Sequence, residues 1–188
     1  MVAGSILPVA FHNNQLYFLF GKENPLEDSS KGFSDFGGGV ENNESPFDTA
    51  MREGGEELTG FLGDGKTIRS HVKKYGYLPI TVDTYHVHIV PFPYDERLPF
   101  YYNNNHRFLW DRMDHQLLNK TKLFEKIEIQ WFTPEQMRKR IREFRSFYQA
   151  IVFQFLESLP KIRSFLKAKR NSSRKVHSYK RKTQKRKK

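Results

Sequence analysis

Two apolar runs open the chain, residues 2–11 and 16–20, and the polar segment 12–15 separates them. Asparagine is common in tight hairpin turns, and this segment contains two, so the pattern predicts a β-hairpin. Residues 21–32 are polar and contain Gly, Pro and Ser, which predicts a loop. Residues 33–36 predict a short strand that leads into three consecutive glycines.

Capping residues mark the beginnings of two helices. Ser45 before Pro46 predicts a helix that runs to about Leu58, because Ser caps free amides and Pro suits the first helical turn. The segment Thr133-Pro134-Glu135-Gln136 predicts a second start, for a helix that ends near Leu159, before Pro160. Apolar residues at three- and four-residue spacing give this second helix a predicted buried face: Phe144, Phe147, Ile151 and Phe155.

The rest of the chain alternates between predicted strands and irregular segments. Residues 66–76 predict a strand and a turn, and residues 80–92 alternate apolar with polar side chains, which predicts one strand. Residues 93–122 are rich in Pro, Asn and aromatics, so we expect an insertion or lid with a short helix near residues 112–118. Residues 127–132 predict the last strand. This mixed order predicts an α/β fold, an α/β/α sandwich with a mixed central β-sheet.

Charge is divided unevenly along the chain, whose net charge is +11. Residues 167–188 contain 12 of the 32 Lys and Arg and no Asp or Glu, so residues 1–166 hold 20 basic against 21 acidic side chains. We predict a near-neutral domain over residues 1–166, followed by a disordered basic tail over residues 167–188.

The absence of cysteine excludes disulfides, thiolate catalysis and thiolate metal sites. No apolar run reaches the roughly 18 residues of a membrane span, so we expect an intracellular protein without a membrane partner.

Three glutamates with helical spacing form the main candidate for chemistry. Glu53, Glu56 and Glu57 share one face of the first predicted helix. Three like charges there destabilise a helix unless a cation lies among them, and a hard divalent metal with oxygen ligands meets that need. The glycines just upstream let a ligand approach the backbone closely. Together they predict a loop–helix unit that holds Mg²⁺ against phosphates.

The spacing of these residues resembles the box of the Nudix hydrolase family, G-x5-E-x7-R-E-U-x-E-E-x-G-U, where U is bulky and aliphatic. The family's six Gly and charged anchors up to Glu57 are matched by Gly38, Glu44, Arg52, Glu53, Glu56 and Glu57. Three positions depart: the two U sites are Gly54 and Gly60, and the last Gly is Thr59. Gly54 and Gly55 each weaken a helix by roughly 1 kcal/mol relative to Ala, so we expect the surrounding structure to hold this one.

This resemblance implies a Nudix-like sandwich and a role for each anchor. Glu53, Glu56 and Glu57 would bind one or more Mg²⁺ or Mn²⁺ ions, and one of them, with Glu53 and Glu56 as the catalytic candidates, would act as general base on water. Glu44 and Arg52 would pair and fix the loop to the helix.

The resemblance also implies one extra metal ligand and two weaker candidates. The resemblance implies that the carbonyl of Gly38 is a possible extra metal ligand. Glu125 and Glu128 lie where some relatives place a further carboxylate.

The resemblance fixes the bond type and leaves several substrates open. The box is similar to that of Nudix proteins of large DNA viruses, some of which decap mRNA, so the first expectation is cleavage of the 5′ cap with release of a methylated guanosine diphosphate. The alternative is a small-molecule hydrolase of dinucleoside polyphosphates, ADP-ribose or diphosphoinositol polyphosphates. A third hypothesis is a non-catalytic RNA-binding module, which the retained carboxylates disfavour.

The basic tail has three interpretations. It binds RNA phosphates and tethers capped RNA, it is a nuclear address in an otherwise cytoplasmic protein, or it keeps the chain soluble. The residues expected to carry the tethering are Lys180, Arg181, Lys182, Lys185, Arg186, Lys187 and Lys188. The sequence does not fix an oligomeric state.

Overall fold

The computed structural model describes residues 1–24, 31–121 and 125–169. Residues 167–169, the first three of the predicted disordered tail, are helical, and the rest of that tail lies outside the described residues. The strands are β1 (Ala3–His12), β2 (Gln15–Glu23), β3 (Phe33–Ser34), β4 (Phe36–Gly39), β5 (Leu78–Val82), β6 (Tyr85–Pro91) and β7 (Lys126–Phe132). The helices are α1 (Pro46–Glu57), α2 (Gly65–Tyr75), α3 (Arg97–Trp110), α4 (His115–Thr121), α5 (Pro134–Lys139) and α6 (Gln149–Glu157). Short 3₁₀ turns lie at Ile141–Glu143 and Ser146–Tyr148, and residues 159–169 are again helical.

The seven strands form one mixed sheet in the order β3-β2-β1-β6-β5, with β4 beside the first half of β1 and β7 beside β2. β1 and β6 are parallel, with Ile6 opposite His88, and every other pair is antiparallel. Gly4 of β1 lies opposite Gly38 of β4, so the glycine segment is part of the sheet. The predicted mixed sheet is therefore confirmed.

Each face of the sheet carries its own apolar core, which confirms the α/β/α layering. On one face, Leu7, Val9 and Phe18 pack with α5, α6 and the helical residues 159–169. On the other face, Ile6 and Leu19 pack with α1, α2 and α3. Alternation along β1 and β2 produces this division, since neighbouring residues of a strand point to opposite faces.

The predicted first hairpin is confirmed. Asn13 and Asn14 form its turn with φ values of 45° and 62°, the left-handed conformation that a two-residue turn of this kind requires. β2 continues to Glu23, beyond the point where the sequence predicted a loop.

Two predictions between residues 66 and 92 are wrong. Residues 66–75 lie in α2 rather than in a strand, because Asp64 accepts the amide of Thr67 at 2.8 Å as an N-cap. The single strand predicted over residues 80–92 is a hairpin of β5 and β6 with its turn at Asp83, whose φ is 51°.

Residues 93–122 are more regular than predicted, since α3 occupies their first half and α4 lies close to the predicted short helix. That this segment is an insertion or lid stays a prediction. α3 lies along the outer edge of β7. The side chain of Asn103 accepts the amide of Ile129 at 2.8 Å and donates to its carbonyl at 3.2 Å. An amide side chain thus occupies both backbone groups that a neighbouring strand would use.

The last predicted helix is shorter than expected. Its capping box at Thr133 and Gln136 is present, but α5 ends at Lys139 and two 3₁₀ turns precede α6. The predicted buried face holds at Phe144, Ile151 and Phe155 and fails at Phe147, which is 48% exposed. Pro160 does not end the helical region, because it lies in the first turn of residues 159–169, where proline is tolerated.

Two glycines explain how α1 fits so closely against its neighbours. A Cβ on Gly54 would lie 2.4 Å from the Cδ1 of Ile6, so the Ile6 side chain fills the space that a bulky residue would need. A Cβ on Gly55 would lie 2.8 Å from the backbone nitrogen of Gly65, at the start of α2. The cost of glycine inside the helix is offset by this close packing against β1 and α2.

Asp35, which lies between β3 and β4, has a buried carboxylate. Asp35 accepts hydrogen bonds from the hydroxyls of Ser5 at 2.5 Å and Tyr85 at 2.7 Å. Burial raises the pKa of Asp35 to about 6, against the lowering effect of these hydrogen bonds. The folded protein therefore binds a proton at Asp35 more tightly than the unfolded chain does.

We predict that Gly55→Ala destabilises the protein by about 1–3 kcal/mol, because the new methyl group would press on backbone atoms that cannot rotate away. Gly54→Ala is the matched control and should cost less, since the Ile6 side chain can turn aside and alanine favours the helix. Urea denaturation of both variants measures the difference. A Gly55→Ala variant as stable as the wild type would contradict the close-packing explanation.

We predict that Asp35→Asn flattens the pH dependence of stability between about pH 4 and 6. Because the folded pKa exceeds the unfolded one, the favourable contribution of Asp35 is complete below about pH 4 and disappears as pH rises through about 6. The wild type should lose roughly 2–3 kcal/mol relative to Asp35→Asn over this window. Urea denaturation at several pH values measures it, with the exposed Asp111→Asn as control, and parallel curves for wild type and Asp35→Asn would refute it.

Candidate metal centre

The ends of α1 lie close to those predicted from its capping residues. The hydroxyl of Ser45 accepts the amide of Asp48 at 3.1 Å, and Pro46 occupies the first turn. The helix ends at Glu57, one residue before the predicted end, and Thr59 follows with a φ of 50°. Glu57 is therefore the last helical residue and lies at the edge of the glycine strand β4.

Three carboxylates converge at this end of α1. One oxygen from each of Glu53, Glu57 and Glu125 lies within 4.8 Å of the other two. Glu57 is buried, and Glu53 and Glu125 are partly buried. Two of the three helix glutamates predicted from spacing thus meet a third one that precedes β7. We call Glu53, Glu57 and Glu125 the carboxylate triad.

Glu56 does not belong to this triad. Its side chain is 57% exposed, and its Oε2 accepts a hydrogen bond from Nη1 of Arg52 at 3.1 Å. The metal-binding and catalytic roles expected for Glu56 stay predictions. Glu128, the other weaker candidate, is also outside the triad and pairs with Lys22 at 3.9 Å.

The predicted pair of Glu44 and Arg52 forms across the loop that enters α1. Nε and Nη2 of Arg52 each lie 3.1 Å from a carboxylate oxygen of Glu44, and Thr49 donates to Glu44 at 3.0 Å. Hydrogen bonds from Arg52 lower the pKa of Glu44. The remaining nitrogen, Nη1, donates to Oε1 of Glu53 at 2.8 Å. One guanidinium group therefore fixes the loop to α1 and orients a member of the triad.

Gly38 lies against the same carboxylate. A Cβ at this position would be 2.4 Å from Oε1 of Glu53, so a larger residue here would displace the Glu53 carboxylate from its position. The role of the Gly38 carbonyl as a metal ligand stays a prediction.

Lys126 is the residue that sequence analysis missed. Its side chain is 1% exposed, and its Nζ lies 2.8 Å from Oε1 of Glu57 and 2.6 Å from Oε2 of Glu23. The other oxygen of Glu57 accepts the amide of Gly37 at 2.8 Å. Burial disfavours the charged ammonium, but attraction to Glu57 and Glu23 outweighs it and raises the pKa of Lys126.

A β-bulge brings Lys126 to this face of the sheet. Glu128 pairs with Lys22 and Lys126 pairs with Glu23, so β7 has one extra residue, Ile127, between these pairs. The bulge reverses the alternation of β7 at its start. Gly21 of β2 then leaves space for the Lys126 stem, because a Cβ there would lie 2.7 Å from Cγ of Lys126.

The electrostatics of the triad favour a cation. Burial raises the pKa of Glu53, Arg52 opposes the rise, and the charges of Glu56 and Glu125 add to it. Three carboxylates so close together repel one another, and oxygen donors of this kind are the ligands that Mg²⁺ and Mn²⁺ prefer. The donor set therefore fits a hard divalent ion.

Tyr102 of α3 contacts the backbone beside the carboxylate triad. The hydroxyl of Tyr102 is buried and donates to the backbone carbonyls of Glu57 at 3.1 Å and Lys126 at 2.9 Å. α3 is thereby tied to both the end of α1 and the start of β7.

An open groove lies on the other side of α1, beside α2, with a volume of about 570 Å³. Arg52 and Glu56 contribute to it from α1, and Lys66 and Arg69 from α2. Glu56 and the cationic side chains of α2 therefore line the same groove.

No family model matches the chain, and no curated protein matches it. Among solved structures it is similar to the crystal structure of a Nudix hydrolase from M. smegmatis, RenU, with a TM-score of 0.48 and 11% identity over 86% of this chain and 88% of that chain. It is also similar to a binary complex of a C. elegans Ap4A hydrolase, with a TM-score of 0.47 and 12% identity over 85% of this chain and 97% of that chain.

The predicted tethering residues lie outside the part of the chain that the structure describes: Lys180, Arg181, Lys182, Lys185, Arg186, Lys187 and Lys188. Among the helices that are described, none combines the length and apolar character needed to cross a membrane.

Proposed function

We propose that this chain is a metal-dependent Nudix hydrolase that cleaves a pyrophosphate bond in a nucleoside diphosphate derivative. The observation that carries the proposal is the carboxylate triad at the end of a helix whose Gly, Glu and Arg residues have the spacing of the Nudix box. Spacing alone puts acidic residues on one helix face. Their meeting with Glu125, from a distant part of the chain, is what a metal centre requires.

The residues of the triad would hold Mg²⁺ or Mn²⁺. When bound, such an ion supplies an activated water and neutralises negative charge on the phosphates. Glu53 and Glu57 come from α1 and Glu125 from the start of β7, so the ion would also join two elements of the fold.

The surrounding side chains would keep these ligands in place. Arg52 holds Glu53 through a 2.8 Å hydrogen bond, and Lys126 and the Gly37 amide hold the two oxygens of Glu57. Pre-oriented ligands need no reorganisation when substrate arrives, which favours catalysis by electrostatic stabilisation. Glu53 and Glu56 are the candidates for general base, and both accept hydrogen bonds from Nη1 of Arg52, at 2.8 Å and 3.1 Å.

The proposed substrate is the 5′ cap of mRNA, released as a methylated guanosine diphosphate. The support for it is the charge of residues 167–188, with 12 basic and no acidic side chains on an otherwise near-neutral chain. A long RNA has many phosphates for such a segment to bind, whereas a small nucleotide has few.

A small polyphosphate is the second candidate substrate. The groove beside α1 favours it, because Lys66 and Arg69 line this groove together with Glu56. A dinucleoside polyphosphate or a diphosphoinositol polyphosphate could be gripped there within the folded part of the chain. Hydrolysis assays with Mn²⁺ on cap-labelled RNA, free cap analogue and diphosphoinositol phosphate, run side by side, distinguish the two candidates.

We predict that Glu53→Gln lowers metal-dependent hydrolysis by roughly 100-fold or more while the protein stays folded, since the amide removes a charged ligand. Glu128→Gln is the matched control, because it makes the same change at a glutamate outside the triad, and it should change turnover little. Product release is followed by thin-layer chromatography or ion-exchange, and folding by circular dichroism. Wild-type turnover in Glu53→Gln would defeat the assignment.

We predict that removal of residues 170–188 weakens binding of capped RNA and makes it less dependent on salt, because fewer counterions are released. The cut after Lys169 keeps the helical residues 159–169 intact. Cleavage of a free cap analogue should barely change. A second variant keeps the full length and replaces with Gln the seven basic residues expected to tether RNA. It separates the effect of their charge from the effect of shortening the chain.

Binding of labelled RNA across a series of salt concentrations measures this effect. An equal loss on capped RNA and on the free analogue would argue against a tethering role.

A further inference from the structure

The ammonium of Lys126 lies in a cage of oxygen atoms. Oε2 of Glu23 is 2.6 Å from Nζ, Oε1 of Glu57 is 2.8 Å away and Oγ of Ser34 is 3.5 Å away. The side chain is 1% exposed, and the two glutamate side chains are 9% and 6% exposed. Buried carboxylates of this kind need a cation, and Lys126 provides it.

This cage and the carboxylate triad are neighbouring cation positions that share one residue. Glu57 binds Lys126 through Oε1 and also contributes an oxygen to the triad with Glu53 and Glu125. A carboxylate shared between two cations is the usual bridge in sites that hold two metal ions. Here a side-chain ammonium occupies one of the two positions.

We propose that Lys126 is a positioning residue that takes the place of a second divalent ion beside the triad. It holds the Glu57 carboxylate in the orientation the triad needs and prevents another ion from binding between Glu57 and Glu23. The inference rests on the proposed function, in which the triad binds the catalytic metal.

The surroundings of Lys126 fit this role. Gly21 provides the space for its stem, and the bulge at Ile127 turns the side chain toward α1. The ammonium is also held from the far side, because Glu23 lies 3.4 Å from Nη1 of Arg145 and is thereby fixed in turn. Lys126 is therefore restrained at its base, along its stem and at its charged end.

Lys126→Met tests the proposal, because methionine keeps most of the volume and removes the charge. We expect the full-length variant to bind one more Mn²⁺ per chain than the wild type does, measured by electron paramagnetic resonance and isothermal titration calorimetry. Adding Glu23→Gln to Lys126→Met should restore the wild-type stoichiometry, since the extra position then lacks a carboxylate. Lys22→Met is the control, because Lys22 pairs with a carboxylate outside the triad.

Both possible states of the variant give a decision. If Lys126→Met folds without metal, a stoichiometry equal to the wild type overturns the proposal. If it does not fold without metal, Mn²⁺ should restore folding, as followed by circular dichroism, and failure of that rescue overturns the proposal as well. A purely structural lysine would change stability and leave the number of bound ions unchanged.

Wild-type binding separates this inference from the proposed function. If the wild type binds no Mn²⁺, the proposed function fails, and a gain of one ion in Lys126→Met then shows only that Lys126 keeps an ion out of the position between Glu57 and Glu23. If the wild type binds Mn²⁺ through Glu53 and Lys126→Met gains none, the proposed function stands and the role of Lys126 fails.

Discussion

The bond between Lys126 and Glu57 is the contact on which the rest of the centre depends. It joins the start of β7 to the end of α1, with both partners buried, and the Gly37 amide fixes the second oxygen of Glu57 from β4. Breaking a buried ion pair from one side leaves an uncompensated charge, which costs about 3–5 kcal/mol. The Glu57 carboxylate therefore holds α1 against the sheet, and the same carboxylate belongs to the triad.

Arg52 gives α1 a second restraint of the same chemical kind. It binds Glu44 in the preceding loop and Glu53 in the triad. Glu53 is therefore oriented by a basic side chain, as Glu57 is by Lys126. The glycines at 54 and 55 let the helix approach β1 and α2 closely enough for these bonds to form. Intrinsic helix stability is lower as a result, and contacts with the surrounding elements replace it.

Features that depend on neighbouring residues in the chain could be predicted from the sequence, and features that depend on the pairing of distant strands could not. Ser45 and Thr133 cap their helices as predicted, because capping acts over three residues. The alternation of β7 failed to place Lys126, since the bulge at Ile127 arises from pairing with β2, which is distant in the chain. α2 was missed although its Asp64 cap is local, because its apolar positions are few and were taken for a strand.

The side chain of Asn103 has a consequence for how copies of this chain meet. An outer strand with free backbone groups invites another strand to add to the sheet, and many proteins guard against it with charges or short strands. Here α3 covers β7, and one amide group satisfies the middle of that strand. The edge of the sheet beside the carboxylates is thereby covered, and another strand cannot pair with Ile129.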